Sequence, residues 1–175
     1  MPFAKITLLY RFCYNNCAVK ITLLMVGSTD RKYLNEGIED YQKRLIHYLP
    51  FEIRIIPDLK NSRNLSEEQQ KEREGKAILD HVSTSDELVL LDVEGNEYTS
   101  PGLAGWIEKR MLSGTKQLIF VIGGAYGFSE AVYQRAGSKL SLSRLTFPHQ
   151  LVRLLFVEQL YRAMTIIKGE PYHHA

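Results

Sequence analysis

Short apolar runs alternate along the chain with longer segments in which an apolar residue recurs every three or four positions. The runs are closed by turn-forming or polar residues, which is typical of buried strands. The longer segments place their apolar residues on one face, which is typical of helices packed on a core. The predicted strands cover residues 21–26, 51–55, 88–92, 117–122 and 139–142. The predicted helices begin after Asp30, Ser66, Ser100, Ser129 and Pro148, and the last one runs to about Ile167.

Strands and helices alternate in this way from residue 21 onwards. Such alternation predicts an α/β fold with a mainly parallel sheet, because a parallel connection needs a crossover helix.

Capping residues mark the starts of three of these helices. Ser66 and Gln69 form a capping box, in which each side chain can satisfy a main-chain amide of the first turn. Asp30 is a candidate cap for the first helix. Ser100 stands before Pro101, a residue favoured at the first helical position, and is the predicted cap there.

Composition places the chain among ordinary globular proteins. Its 175 residues, of which 45% are hydrophobic and 24% charged, suffice for about one domain with a core. The longest unbroken apolar run, 118–122, is far shorter than the roughly 20 residues that cross a membrane as a helix. The net charge of +2 neither demands nor excludes a nucleic acid, although basic residues outnumber acidic ones over 134–175.

The first 18 residues differ from the rest of the chain. They contain both cysteines, Cys13 and Cys17, and a segment, 5–9, whose residues recur at 20–24. Two cysteines so placed form neither a disulfide framework nor a zinc site, so the body of the protein suits a reducing cytoplasm. We expect 1–18 to be an artefact of cloning or of start-site assignment, with Val19 as the initiator and 19–175 as a single domain. The alternative is a genuine extra strand or arm.

A glycine-rich loop at 123–127 is the first candidate for chemistry. It follows a buried strand and precedes a predicted helix, where glycines allow a ligand close to the main chain and helix amides are free. Its spacing matches neither the dinucleotide-binding fingerprint nor a P-loop. The alternative is a tight turn.

Two further segments lie where strands end. Asp92 ends the third strand, before a turn predicted at 94–96, and could bind a ribose or an amine, or could simply cap the turn. Residues 142–149 mix apolar side chains with main-chain groups that no regular element claims. That mixture suits a pocket for adenine, and an ordinary buried loop is the alternative.

The last helix and the residues after it carry the remaining candidates. Arg153 and Arg162 are separated by about two and a half turns and therefore face opposite sides. Arg162 also stands one turn after Glu158, and the two could simply form an ion pair. Tyr172 and His173, near the chain end, could stack on a base and exchange protons. The alternative is a frayed terminus or the remnant of a histidine tag.

The order and spacing of these motifs resemble the RlmH family of SPOUT-class RNA methyltransferases, over residues 19–175. One departure lies at His174, where the family usually has a basic residue. The matching segments are 20–27, 90–92, 122–124 with Gly127, 142–143, 146–149, 151–153, 158–163 and 171–173.

The resemblance implies a SPOUT-type (α/β-knot) fold, with helices on both faces of the sheet and a C-terminal trefoil knot. It implies a cytoplasmic homodimer that uses S-adenosylmethionine and no metal, and that has no membrane association. The substrate would be a pseudouridine of 23S rRNA, methylated at N3 on the assembled 70S ribosome. The implied cofactor-binding residues are Leu91, Gly123, Leu142, Ser143, Arg144, Leu145, Thr146 and Phe147.

The resemblance also suggests roles for the candidates of the last helix and tail. Arg153 and Arg162 would position phosphates and the base, and Tyr172 with His173 would recognise the target nucleotide. His173 is the favoured proton acceptor, and His149 is a second candidate. The alternatives are a non-catalytic ribosome-binding factor that keeps the fold, and a small-molecule nucleotide-binding enzyme of doubly wound topology.

Overall fold

A computed structural model describes residues 19–59 and 64–173 of the chain. The predictions made for 1–18 lie outside these residues. The strands are β1 (Lys20–Val26), β2 (Phe51–Ile56), β3 (Glu87–Glu97), β4 (Gln117–Ile122) and β5 (Ser138–Ser141). The helices are α1 (Lys32–Leu45), α2 (Glu67–Leu79), α3 (Ser100–Leu112), α4 (Glu130–Arg135) and α5 (His149–Lys168).

The five strands form one parallel sheet in the order β2-β1-β4-β3-β5. From β1 the chain moves outward to β2, then crosses to β3 on the other side of β4. The strand order therefore reverses between β1 and β4, which is where open α/β sheets present a crevice at their carboxyl ends. The predicted α/β class and parallel sheet are confirmed.

Alternating residues along the strands build two separate cores. Leu23 and Phe120 belong to the core on the side of α1, α3 and α5, whereas Leu24 and Val121 belong to the core on the side of α2 and α4. Every strand residue of β4 after Gln117 is buried, because helices cover both faces. The prediction that helices cover both faces of the sheet is therefore confirmed. Separately, no helix among the described residues is long and apolar enough to cross a membrane.

The start of α2 confirms one predicted cap, and two others are wrong. Ser66 and Gln69 form the capping box. Thr99, and not Ser100, caps α3, because its side chain accepts from the amide of Gly102 at 3.2 Å. Arg31, and not Asp30, occupies the capping position of α1, and the Asp30 carboxylate instead accepts from the Ser28 hydroxyl at 3.0 Å and from the Gln150 amide at 3.2 Å.

We expect Ser66→Ala to lower the free energy of unfolding by about 1 kcal/mol, since it removes the acceptor for an amide of the first turn of α2. Thermal or urea denaturation measures the loss. Ser85→Ala, at an exposed position in the turn before β3, controls for the missing hydroxyl and should change stability little. Equal losses in the two variants would contradict the capping argument.

The turn predicted at 94–96 is wrong, because β3 continues through it to Glu97. The pairing of β3 with β5 shifts register between Leu91 and Asn96, so both residues lie opposite Leu140. Gly95 makes this possible: a Cβ there would lie 2.6 Å from the carbonyl carbon of Leu140 and 2.7 Å from the amide of Ser141. A glycine next to a close main-chain approach is typical of a bulged strand, so the Glu-Gly-Asn signal marked a bulge rather than a chain reversal.

Candidate functional site

A small cleft of about 100 Å³ opens between the middle of β3 and the carboxyl end of β5. Its walls are residues 91–93 of β3, the end of β5, the segment that follows β5, and Val152 of α5. Six of the eight predicted cofactor-binding residues line it: Leu91, Leu142, Ser143, Leu145, Thr146 and Phe147.

The two remaining predicted residues lie outside the lining. Arg144 extends into solvent, with 88% of its side chain exposed, and its Nε donates to Glu97 at 3.0 Å. Gly123 follows β4 and lies under Phe128, whose ring would lie 3.0 Å from a Cβ at that position. Gly123 is one strand away from the cleft, at the border between it and the crevice of β1 and β4.

Hydrogen bonds within the segment shape the mouth of the cleft. The Ser141 hydroxyl donates to the carbonyl of Ser143 at 3.1 Å, and the amide of Leu145 donates to the Ser143 hydroxyl at 3.0 Å. Leu145 is 69% exposed at this mouth. An exposed leucine beside main-chain polar groups suits a flat ligand with a polar edge, such as a purine.

Asp92 lies on the same cleft but is already engaged. Its carboxylate accepts from the Tyr133 hydroxyl at 2.6 Å and from the amide of Glu94 at 2.8 Å. Burial, and then the hydrogen bond to Asp92, raise the pKa of Tyr133, which keeps its hydroxyl protonated as a donor. These contacts support the alternative in which Asp92 holds the local main chain.

Tyr172 packs against α1 and α5 on the opposite side of the molecule. Its hydroxyl lies 3.2 Å from the Tyr41 hydroxyl and donates to Glu158 at 3.2 Å. Its ring meets Tyr161 edge-on at 4.9 Å, and the guanidinium of Arg162 lies 4.9 Å from the ring centre. The tail is therefore docked on its own chain through one aromatic residue.

Arg162 forms the ion pair expected as the alternative to a functional role. Its Nε and Nη2 lie 3.1 and 2.5 Å from the same oxygen of Glu158. Burial raises the pKa of the neighbouring Tyr172, and the hydrogen bond with the Tyr41 hydroxyl and the charge of Glu158 raise it further. Glu158 thus joins Arg162 and Tyr172 into one polar group, and 26% of the Arg162 side chain remains exposed.

Arg153 lies inside the fold, with only 1% of the residue exposed. It donates to the carbonyl of Val26 and to the Thr29 hydroxyl, both at 2.7 Å. These bonds tie α5 to the end of β1. The prediction that Arg153 positions a phosphate is not supported by this placement, because a phosphate contact needs an accessible guanidinium.

The two candidate histidines stand at opposite ends of α5. His149 is exposed in the first turn of the helix, beside the cleft segment, whereas His173 follows its last turn with a partly buried ring. A helix of 20 residues is about 30 Å long. Within one chain, the predicted cofactor residues and the tail residues therefore lie at opposite ends of α5.

A family model described as "Predicted SPOUT methyltransferase" matches residues 19–173. The chain belongs to the SPOUT methyltransferase family. The resemblance stated from the sequence is confirmed by this match and by the curated relatives.

Three relatives of this SPOUT methyltransferase carry the name Ribosomal RNA large subunit methyltransferase H. The protein from Parabacteroides distasonis is 55% identical over 156 residues, which cover 89% of this chain and 99% of the relative. The protein from Christiangramia forsetii is 58% identical over 154 residues, covering 88% and 98%. The protein from Flavobacterium johnsoniae is 54% identical over 156 residues, covering 89% and 99%.

Within 19–59 and 64–173 of the SPOUT methyltransferase, no group of His, Cys, Asp and Glu is arranged to hold a metal ion.

Sequence reasoning missed two residues that lie close to the docked tail and to the glycine loop. Tyr41 holds the tail tyrosine, but in the sequence it falls on the apolar face of α1 and so suggested only packing. Glu74 lies buried against the glycine loop, and nothing in a polar, charged helix distinguishes it from its exposed neighbours.

Proposed function

We propose that this protein transfers a methyl group from S-adenosylmethionine to N3 of a pseudouridine in 23S rRNA, on the assembled 70S ribosome. The observation that carries the proposal is the cleft, in which six residues expected to hold the cofactor converge in a member of a methyltransferase family. The name that the relatives share supports large-subunit rRNA as the acceptor. Ribosomes as substrate place the enzyme in the cytoplasm.

The cleft suits the adenosine end of the cofactor. Leu91, Leu142 and Leu145 offer apolar walls, and the main chain of the segment offers polar groups at the mouth. A volume of about 100 Å³ is smaller than the roughly 300–1,000 Å³ of typical ligand pockets. The segment 142–148 therefore has to move outward when the cofactor binds.

The cofactor supplies an electrophilic methyl group, so the protein has to align the acceptor nitrogen and remove its proton. We assign recognition of the nucleotide to Tyr172 and phosphate or base positioning to Arg162. His173 accepts the N3 proton through the accessible part of its ring, because its Nδ1 is buried away from solvent. His149 is the second candidate for this step. Arg153 is left out of the catalytic group because its guanidinium is engaged inside the fold.

A homodimer resolves the separation between the cofactor cleft and the tail. Because about 30 Å of α5 lies between them in one chain, the tail of a second copy has to reach the cleft. An isologous dimer would create two such sites at one interface. Family membership also supports the C-terminal trefoil knot, which stays a prediction.

The proposal is tested with S-adenosylmethionine carrying a radiolabelled methyl group. The acceptors are 70S ribosomes from cells that lack this gene, their separated subunits, and naked 23S rRNA. We expect label in the large-subunit rRNA of intact ribosomes and little or none in the other two. Tight ribosome binding without label would contradict the enzyme and favour a binding factor that keeps the fold.

A further inference from the structure

An exposed arginine of α1, Arg44, borders the aromatic group on which the tail is docked. Its guanidinium lies 5.7 Å from the ring centre of Tyr41 and 5.8 Å from that of Tyr161. Tyr161 in turn contacts the ring of Tyr172, and the guanidinium of Arg162 lies near that same ring. Two guanidinium groups, one on each helix, therefore border one group of three tyrosines.

The two guanidinium groups differ in how firmly they are already held. Arg162 donates twice to one oxygen of Glu158, and 26% of its side chain is exposed. Arg44 lies 2.8 Å from Asp40, one turn earlier in α1, but about half of each of these two side chains is exposed, 49% and 54%. Exposed ion pairs contribute little to stability, because water solvates both charges. Arg44 can therefore exchange Asp40 for another anion at small cost.

The other acidic side chains near the tail already have donors. Glu158 is paired with Arg162, and Glu170 accepts from the Tyr48 hydroxyl. Neither carboxylate is an ion-pair partner of Arg44, whose one such partner among the described residues is the exposed Asp40. The surface beside the docked tail thus presents a guanidinium that an incoming anion can reach.

We infer that Arg44 binds a phosphate of the rRNA strand next to the nucleotide that Tyr172 and His173 recognise. The inference rests on the proposed function, which brings the target nucleotide to the tail. A nucleotide carries its phosphate on the same unit as its base, so recognition of the base brings a phosphate towards the neighbouring guanidinium. Guanidinium matches phosphate because its N–H groups donate in pairs to two oxygens. Arg153, predicted for such a contact, is buried, whereas Arg44 is accessible.

The test compares Arg44→Gln with Arg44→Lys in the full-length protein, on 70S ribosomes from cells that lack this gene. We expect Arg44→Gln to raise the KM for ribosomes at least about tenfold, as loss of a charge-assisted hydrogen bond requires. Its kcat and its Kd for S-adenosylhomocysteine should stay within about twofold, because the contact is made equally before and during the reaction.

Salt dependence shows whether the lost contact is with a phosphate. The slope of log Kd for ribosomes against log salt concentration should fall by about 0.7–0.9 in Arg44→Gln, the amount expected for one phosphate. Arg44→Lys should retain the slope, because it keeps the charge, and should raise the KM less than Arg44→Gln does.

Asp40→Asn separates phosphate binding from the ion pair within α1. Because Asp40 competes with the phosphate for Arg44, its removal should lower the KM by about twofold, opposite in sign to Arg44→Gln. Arg73→Gln is the matched control, since it removes an exposed arginine from α2, a helix on the other face of the sheet. It should leave the KM and the salt dependence unchanged.

Three results would overturn the inference. An unchanged KM and salt slope in Arg44→Gln would mean that no phosphate is bound there. An equal rise in KM for Arg44→Gln and Asp40→Asn would mean that the pair only supports α1. Loss of the wild-type oligomeric state in Arg44→Gln, measured by light scattering, would assign the residue to a subunit contact. Absence of methyl transfer by the wild-type protein would contradict the proposed function itself, and this result differs from the other three.

Discussion

Gly95→Ala is expected to lower the free energy of unfolding by about 3 kcal/mol, a large effect for one methyl group. The new Cβ would overlap the main chain of Leu140 and Ser141, which no rotamer change can relieve. Strands β3 and β5 would have to separate where they frame the cleft. We expect a Tm lower by roughly 10 °C and a matching loss of affinity for S-adenosylhomocysteine.

Gly105→Ala is the control for this experiment. Gly105 lies in α3, and beyond its own helix main chain nothing comes within 4 Å of the position that a Cβ would take. Alanine there should therefore raise stability by about 0.5–1 kcal/mol through helix propensity. The two substitutions add the same atom to the same residue type. Equal changes in Tm would contradict the close main-chain approach at the bulge.

Removal of residues 172–175 is expected to reduce methyl transfer at least about a hundredfold, as loss of a proton acceptor and a recognition residue requires. The fold should survive, because Tyr172 is attached through surface contacts to Tyr41 and Glu158. Binding of S-adenosylhomocysteine should be retained, since the cleft lies at the other end of α5. Turnover on 70S ribosomes and calorimetry measure the two effects separately.

Co-expression tests whether the tail acts on the partner subunit. The truncated chain is paired with Leu145→Asp, which places a charge at an exposed leucine of the cleft and should prevent cofactor binding. Each mixed dimer then holds one complete site, and random assortment restores about a quarter of wild-type activity. No restoration, with mixed dimers present, would mean that each tail serves its own chain.

The strands and their parallel arrangement could be predicted from the sequence because burial on both faces leaves an unbroken apolar run. Residues 117–122 show this directly, since all but the first are buried. The bulge at Gly95 could not be predicted, because the same Glu-Gly-Asn signal is used for a reversal of the chain. Its meaning depends on how closely β5 approaches, which is a tertiary contact.

The candidate site could be predicted where its residues are consecutive. Residues 142–147 lie together in sequence and mostly together on the cleft. The environment of a single side chain was not predictable: Arg153 and Arg162 occupy the same helix, yet one is buried and bonded to β1 and the other lies on the surface. Glu74 illustrates the same limit, because only the packing of α2 on the glycine loop separates it from exposed Glu72.

The measurement that tests the central claim most directly is a mass-spectrometric nucleoside map of 23S rRNA from wild-type cells and from cells lacking this gene. The account predicts that one methylated pseudouridine disappears in the mutant. It predicts that the wild-type gene restores the nucleoside and that the gene truncated before Tyr172 does not. An unchanged map in the mutant would contradict the assignment of this protein as the methyltransferase.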